Sequence, residues 1–176
     1  MRYLHAATTL LFPLLLGTCA RAQTVPTHLQ TGHVALDDKL SGMVTADDHA
    51  LNASEANRLD NAVFLDAREL DEYTVSHLPN AIHIGYQTIN YSVLKDMAKN
   101  TPIVVYCTVG YRSERIANKL REKGYDEVYN LYGSLYAWKL AGYPIVDANG
   151  KPTERIHTYN KKWGSLVPDT IGEKVW

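Results

Sequence analysis

Cys107 stands directly after the apolar run Ile103-Val104-Val105-Tyr106 and opens the loop Thr108-Val109-Gly110-Tyr111-Arg112-Ser113. A thiol at the end of a buried strand, followed by a turn into a helix, lies where backbone N–H groups and the positive end of the helix dipole converge. That setting favours the thiolate and lowers a cysteine pKa from about 8.5 into a range of roughly 3.5–7.5. Gly110 lets the loop curl with positive φ and lets an anion approach the backbone. Arg112 offers a planar fork of donors suited to an oxyanion, a geometry that Lys lacks. These residues describe a nucleophile in an anion cradle. The plainer alternative is an inert buried cysteine beside a surface arginine.

The elements that must position this loop are legible as short apolar runs. Ala62-Val63-Phe64-Leu65 ends at Asp66, Ala81-Ile82-His83-Ile84 follows the turn at Pro79-Asn80, and Glu127-Val128-Tyr129-Asn130-Leu131 follows the Cys107 strand. Between them lie helical stretches. Glu69 to Val75 has helical potential, Val93, Leu94 and Met97 share a helical spacing, and Leu135 to Leu140 forms a short helix. Ser113 to Lys123 carries Ile116, Ala117 and Leu120 on one face, and Gly124 stands where that helix closes. Asp47 and Asp48 also introduce a helical stretch that reaches Leu59. Strands alternating with helices imply an α/β fold with an open parallel sheet covered on both faces. In an open sheet of that kind, ligands bind beyond the carboxyl ends of the strands, where Cys107 falls.

The chain has 176 residues, of which 45% are hydrophobic and 21% charged, and a net charge of −1. This is the size of one domain. Basic and acidic residues are interspersed, so no polycationic face is expected to hold nucleic acid. Residues 1–22 have the pattern of an export signal: Arg2, then the uncharged run Ala6 to Leu16, then Ala20-Arg21-Ala22 before Gln23. The run is too short for stable membrane insertion. Leu16-Gly17-Thr18-Cys19 could instead offer Cys19 for lipidation, although Thr18 suits that poorly. The expectation is an exported protein, periplasmic or secreted. Once residues 1–22 are removed Cys107 is the only cysteine, and no internal disulfide can form. Residues 23–43 read as a polar leader arm that builds no core, residues 44–146 as the domain, and residues 147–176 as an irregular tail. That tail packs its aromatics on the domain or serves a partner not identifiable from the sequence. The seven His are scattered, so neither a metal nor another cofactor is expected.

The chain resembles the rhodanese (sulfurtransferase) family, in particular its single-domain exported members, over about Val44 to Val146. Several motifs carry the resemblance in order. They are Phe64-Leu65-Asp66-Ala67-Arg68-Glu69 with Glu72-Tyr73, His77 to Ile84, Cys107 to Ser113, and Gly133 with Trp138 and Gly142-Tyr143-Pro144. The resemblance implies a five-stranded parallel sheet flanked by helices and a persulfide on Cys107. It implies that a small anionic sulfur donor such as thiosulfate is held by Thr108, Val109, Gly110, Tyr111, Arg112 and Ser113, and that the acceptor is cyanide or a thiol. It casts Asp66 and Arg68 as organisers of the site floor. The chain departs from the family at Ser76, Asn80 and Ser134, where Gly is frequent.

Two rival functions are weighed against this one. A thiolate phosphatase or arsenate reductase also closes its cradle with Arg, but four residues separate Cys107 from Arg112, whereas that class encloses one more. Tyr106 also stands where such phosphatases commonly have His. A non-catalytic binding module of the same fold would be expected to lose its cysteine, and this chain keeps both Cys107 and Arg112. With no second cysteine after removal of residues 1–22, an external acceptor must collect the sulfur.

Overall fold

The computed structural model describes residues 24–176. The export signal expected over residues 1–22, with Cys19, lies outside the described residues. In chain order the elements begin with α1 (Val34–Ser41), β1 (Ala50–Leu51), α2 (Ala53–Arg58), β2 (Val63–Asp66), α3 (Leu70–Val75) and β3 (Ile82–His83). They continue with β4 (Ile103–Tyr106), α4 (Tyr111–Glu122), β5 (Val128–Leu131), α5 (Ser134–Leu140), β6 (Ile145–Val146) and β7 (Pro152–Thr153). The last are β8 (Arg155–His157), α6 (Lys161–Gly164) and β9 (Glu173–Val175).

Five strands form one parallel sheet in the order β1-β5-β4-β2-β3. The central strand β4 is buried along its whole length, and its side chains alternate between two cores. Val104 and Tyr106 join Leu36, Leu40, Ala56 and Leu135 on one face. Ile103 and Val105 join Ile116, Ala117 and Leu120 of α4 on the other. Helices cover both faces, so every sheet residue of β4 is removed from water, and each such aliphatic side chain contributes about 1.5–3 kcal/mol. The sheet is the α/β fold that the alternating runs implied.

Three expectations are corrected. The supposed leader arm contains α1, and Leu29, Leu36 and Leu40 are all buried in the main core. Their helical spacing was hidden by flanking polar residues and by Val34, which is exposed. The helix expected from Asp47 to Leu59 is split. Ala50 and Leu51 pair with Asn130 and Leu131 as the edge strand β1. The helix starts only at Ala53, because Asn52 and Glu55 form a capping box, the Glu55 N–H donating to Asn52 Oδ1 at 2.8 Å and the Asn52 N–H donating to Glu55 Oε2 at 2.9 Å. The tail is not irregular: it holds β7, the parallel pair of β8 and β9, and α6, with Ile156, Val167 and Ile171 buried.

Candidate active site

Strand β4 delivers Cys107 to the carboxyl edge of the sheet, and the chain turns at once into α4. Gly110 makes that turn with φ of 114°, a conformation open to glycine and strained for any other residue. The helix begins at Tyr111 rather than at Ser113, so Tyr111, Arg112 and Ser113 form its first turn. The Gly110 N–H donates to the Cys107 sulfur at 3.1 Å. Cys107 itself is 1% exposed.

Two hydroxyls approach the sulfur, Ser113 Oγ at 3.6 Å and Ser134 Oγ at 4.0 Å. Both have closer acceptors for their single protons. Ser113 donates to Asn130 Oδ1 at 2.7 Å, while Asn130 Nδ2 donates to the Gly110 carbonyl at 3.1 Å. Ser134 donates to the Leu131 carbonyl at 3.1 Å and accepts from the Cys107 N–H at 3.0 Å. The hydroxyls thus fix the loop and the Cys107 backbone. Burial pushes the Cys107 thiol up, but the Arg112 charge and the surrounding donors outweigh it and hold the thiol below its ordinary value of 9.0.

The Arg112 fork is engaged by Glu72 of α3. Nη1 donates to Oε2 at 2.6 Å and Nη2 to Oε1 at 2.7 Å, with a further bond from Nη2 to Thr108 Oγ1 at 3.1 Å. The Glu69 N–H adds a bond to Glu72 Oε2 at 3.1 Å. Burial raises the Glu72 carboxyl, but Arg112 more than offsets this and leaves it below the ordinary 4.5. The expectation that this fork is open to a substrate oxyanion is therefore corrected. What remains is Nε–H and one Nη1 proton, neither bonded among the described residues. Arg112 acts on the thiol by its charge and ties the loop to α3.

The other expected residues fall into distinct places. Thr108, Val109 and Ser113 are buried, and Tyr111 is exposed with the Arg115 guanidinium carbon 3.5 Å from its ring centre. Asp66 and Arg68 form a fully buried ion pair at 2.6 Å. Arg68 Nη2 also donates to the Ser76 carbonyl at 2.5 Å, just beyond α3. Neither contacts Cys107; they anchor the helix that carries Glu72. Asn80 and Ser134 have φ of 60° and 49°, a backbone region that favours glycine, whereas Ser76 has an extended backbone that makes no such demand.

Above Cys107 opens a pocket of about 290 Å³. Its walls include Met43, from the segment after α1, and Tyr159 and Trp163, from the chain around α6. Sequence reading assigned none of these three to the site, nor Glu72, Asn130 or Ser134. Asn130 carried a usable signal, a polar side chain in an otherwise apolar buried strand. Tyr159 and Trp163 carried none, because only the tertiary fold returns the tail to the loop.

A family model described as rhodanese-like domain matches residues 48–141. The thiosulfate sulfurtransferase GlpE of Coxiella burnetii is 38% identical over 100 residues, covering 56% of this chain and 91% of that protein. A tRNA uridine(34) hydroxylase of Buchnera aphidicola is 36% identical over 83 residues, covering 44% of this chain and 27% of that protein. The solution structure of the rhodanese-like domain of the Anabaena sp. Alr3790 protein has a TM-score of 0.52 at 24% identity and covers 57% of this chain and 80% of that one, a likeness of fold. With the sheet, the Cys107 loop and the model match in agreement, the chain belongs to the rhodanese-like domain family.

Proposed function

We propose that the protein is a sulfurtransferase that carries sulfane sulfur as a persulfide on Cys107. The observation that carries this reading is the Cys107 thiol, lowered by Arg112 and hydrogen-bonded to the Gly110 N–H at the base of an open pocket. The similarity to GlpE thiosulfate sulfurtransferases supports it. In the first half-reaction the Cys107 thiolate attacks the outer sulfur of an anionic donor of the thiosulfate type. The new S–S bond forms as the donor S–S bond breaks, and sulfite leaves with the electron pair. In the second half-reaction cyanide or a thiol attacks the outer sulfur, the Cys107–sulfur bond breaks, and its electron pair returns to the thiolate beside the Gly110 N–H. No net oxidation occurs.

Intact-mass measurement tests the cycle. The chain from Gln23 should gain one sulfur atom on thiosulfate treatment and lose it to cyanide as thiocyanate, and Cys107→Ser should gain none. Absence of the gain with thiosulfate and with an organic persulfide donor would overturn the assignment. The pattern of residues 1–22 supports export to the periplasm or beyond. Recovery of the protein from the extracytoplasmic fraction with Gln23 as its first residue checks that reading, and an uncleaved intracellular product overturns it.

A further inference from the structure

The family model ends at residue 141 and begins at residue 48, yet the mouth of the Cys107 pocket is built from both flanks. Met43 comes from one side, and Tyr159 and Trp163 come from the other. Tyr159 is held in a left-handed backbone conformation with φ of 65°, and its N–H donates to His157 Nδ1 at 3.1 Å. A non-glycine residue in that region carries strain that persists only where its surroundings impose it. The result is a ring 57% exposed, set at the pocket rim with its centre 5.6 Å from the Arg112 guanidinium carbon.

Outside the Cys107 loop, the residues lining this pocket carry no positive charge that would pair with a negative group on the body of an acceptor. The Arg112 fork is neutralised by Glu72, and Glu69 also lines the pocket. A cation is equally unsuited, because the rings of Tyr111, Tyr159 and Trp163 already face Arg115, Arg112 and Lys39. At about 290 Å³ the space is far larger than cyanide requires and lies near the lower end of the range of about 300–1,000 Å³ typical of small-ligand sites. Resting on the persulfide reading, we propose that this pocket is an acceptor site for an organic thiol with an uncharged body, aromatic or aliphatic, that packs against Met43, Tyr159 and Trp163. The acceptor sulfur, having lost its proton to solvent, bonds to the outer sulfur of the persulfide. The Cys107–sulfur bond breaks, the thiolate is restored, and the acceptor leaves as an organic persulfide.

The full chain, loaded with thiosulfate, is discharged with two thiols of similar basicity, phenylmethanethiol and 2-mercaptoethanol, and the ratio of their second-order rate constants is read. Burying one ring predicts a preference of about tenfold or more for phenylmethanethiol. Tyr159→Gly removes the ring while accepting the same φ without strain, and Trp163→Leu removes the second wall. Each should bring the ratio toward unity, and a general loss of activity cancels in the ratio. Equal rates with the two thiols in the unaltered protein, or a preference unchanged in both variants, would overturn the acceptor site while leaving the persulfide cycle standing. Failure of the protein to take up sulfur at all would overturn both readings.

Discussion

At the scale of single residues, the site depends on a carboxylate that touches no sulfur. Glu72 is 2% exposed and keeps its charge chiefly because Arg112 closes on it bidentately, with the Glu69 N–H assisting. Arg112→Met should therefore cost about 3–5 kcal/mol, since it leaves a buried charge unpaired, and Glu72→Gln/Arg112→Met should recover most of that loss. Urea unfolding of the two variants checks the order. The pH dependence follows from the lowered Glu72 carboxyl: its contribution is present above the unfolded value of about 4.5 and is lost as the pH falls through the lower folded value. The acid limb of stability should flatten in the double variant. The sulfur itself reports the same pair from the other side. The rate of Cys107 alkylation should inflect below 9.0 in the unaltered protein and shift upward in the double variant, as the Arg112 charge is gone. Ser134 offers a separate test. Ser134→Ala orphans the buried Cys107 N–H at about 1–3 kcal/mol, whereas Ser134→Gly loses the same bond but relieves a φ of 49°, so the glycine variant should unfold at the higher urea concentration.

At the scale of elements, the decisive case is α1. If residues 23–43 were an arm, shortening a side chain there would change stability by less than about 0.5 kcal/mol. With Leu40 fully buried, Leu40→Ala should instead cost about 2–5 kcal/mol, and thermal unfolding distinguishes the two outcomes. The elements that carry the nucleophile were legible because their signals are local. Ile103 to Tyr106 is an unbroken apolar strand, and Ile116, Ala117 and Leu120 fall on one face of α4, closed by Gly124 with φ of 80°. The loop geometry followed from Cys107, Gly110 and Arg112 in the same way. What was not legible depends on contacts remote in sequence. Ala50 and Leu51 become a strand only by pairing with β5, and the Arg112 fork is occupied only because α3 brings Glu72 against it. Gly133 shows the same dependence: with φ of 71°, a Cβ there would lie 2.8 Å from the Ala137 Cβ and 3.1 Å from Thr31 Cγ2, and nothing in the local sequence reveals the neighbouring Thr31.

At the scale of the molecule, the two flanks complete the domain, and the tail is coupled to the site through His157. β8 packs against α3, which places His157 Nδ1 4.0 Å from Glu72 Oε1. The approach is no ion pair at neutral pH, because Nδ1 already accepts the Tyr159 N–H. Burial lowers the His157 pKa from 6.5, and the Glu72 charge only partly opposes this. The folded state therefore binds a proton less readily than the unfolded chain. Stability is full above the unfolded value of about 6.5, falls as the pH drops toward the folded value, and levels off below it. Protonation also removes the acceptor that holds the Tyr159 backbone, so the loss should fall first on the tail. His157→Asn keeps an acceptor oxygen for that N–H but cannot titrate. Between about pH 7.5 and pH 5.5, a window in which His157 changes charge in the unfolded chain, the urea midpoint read by tryptophan fluorescence should fall further in the unaltered protein than in His157→Asn. An equal fall in both would assign the pH response to a group other than His157 and detach the tail from the titration of the site.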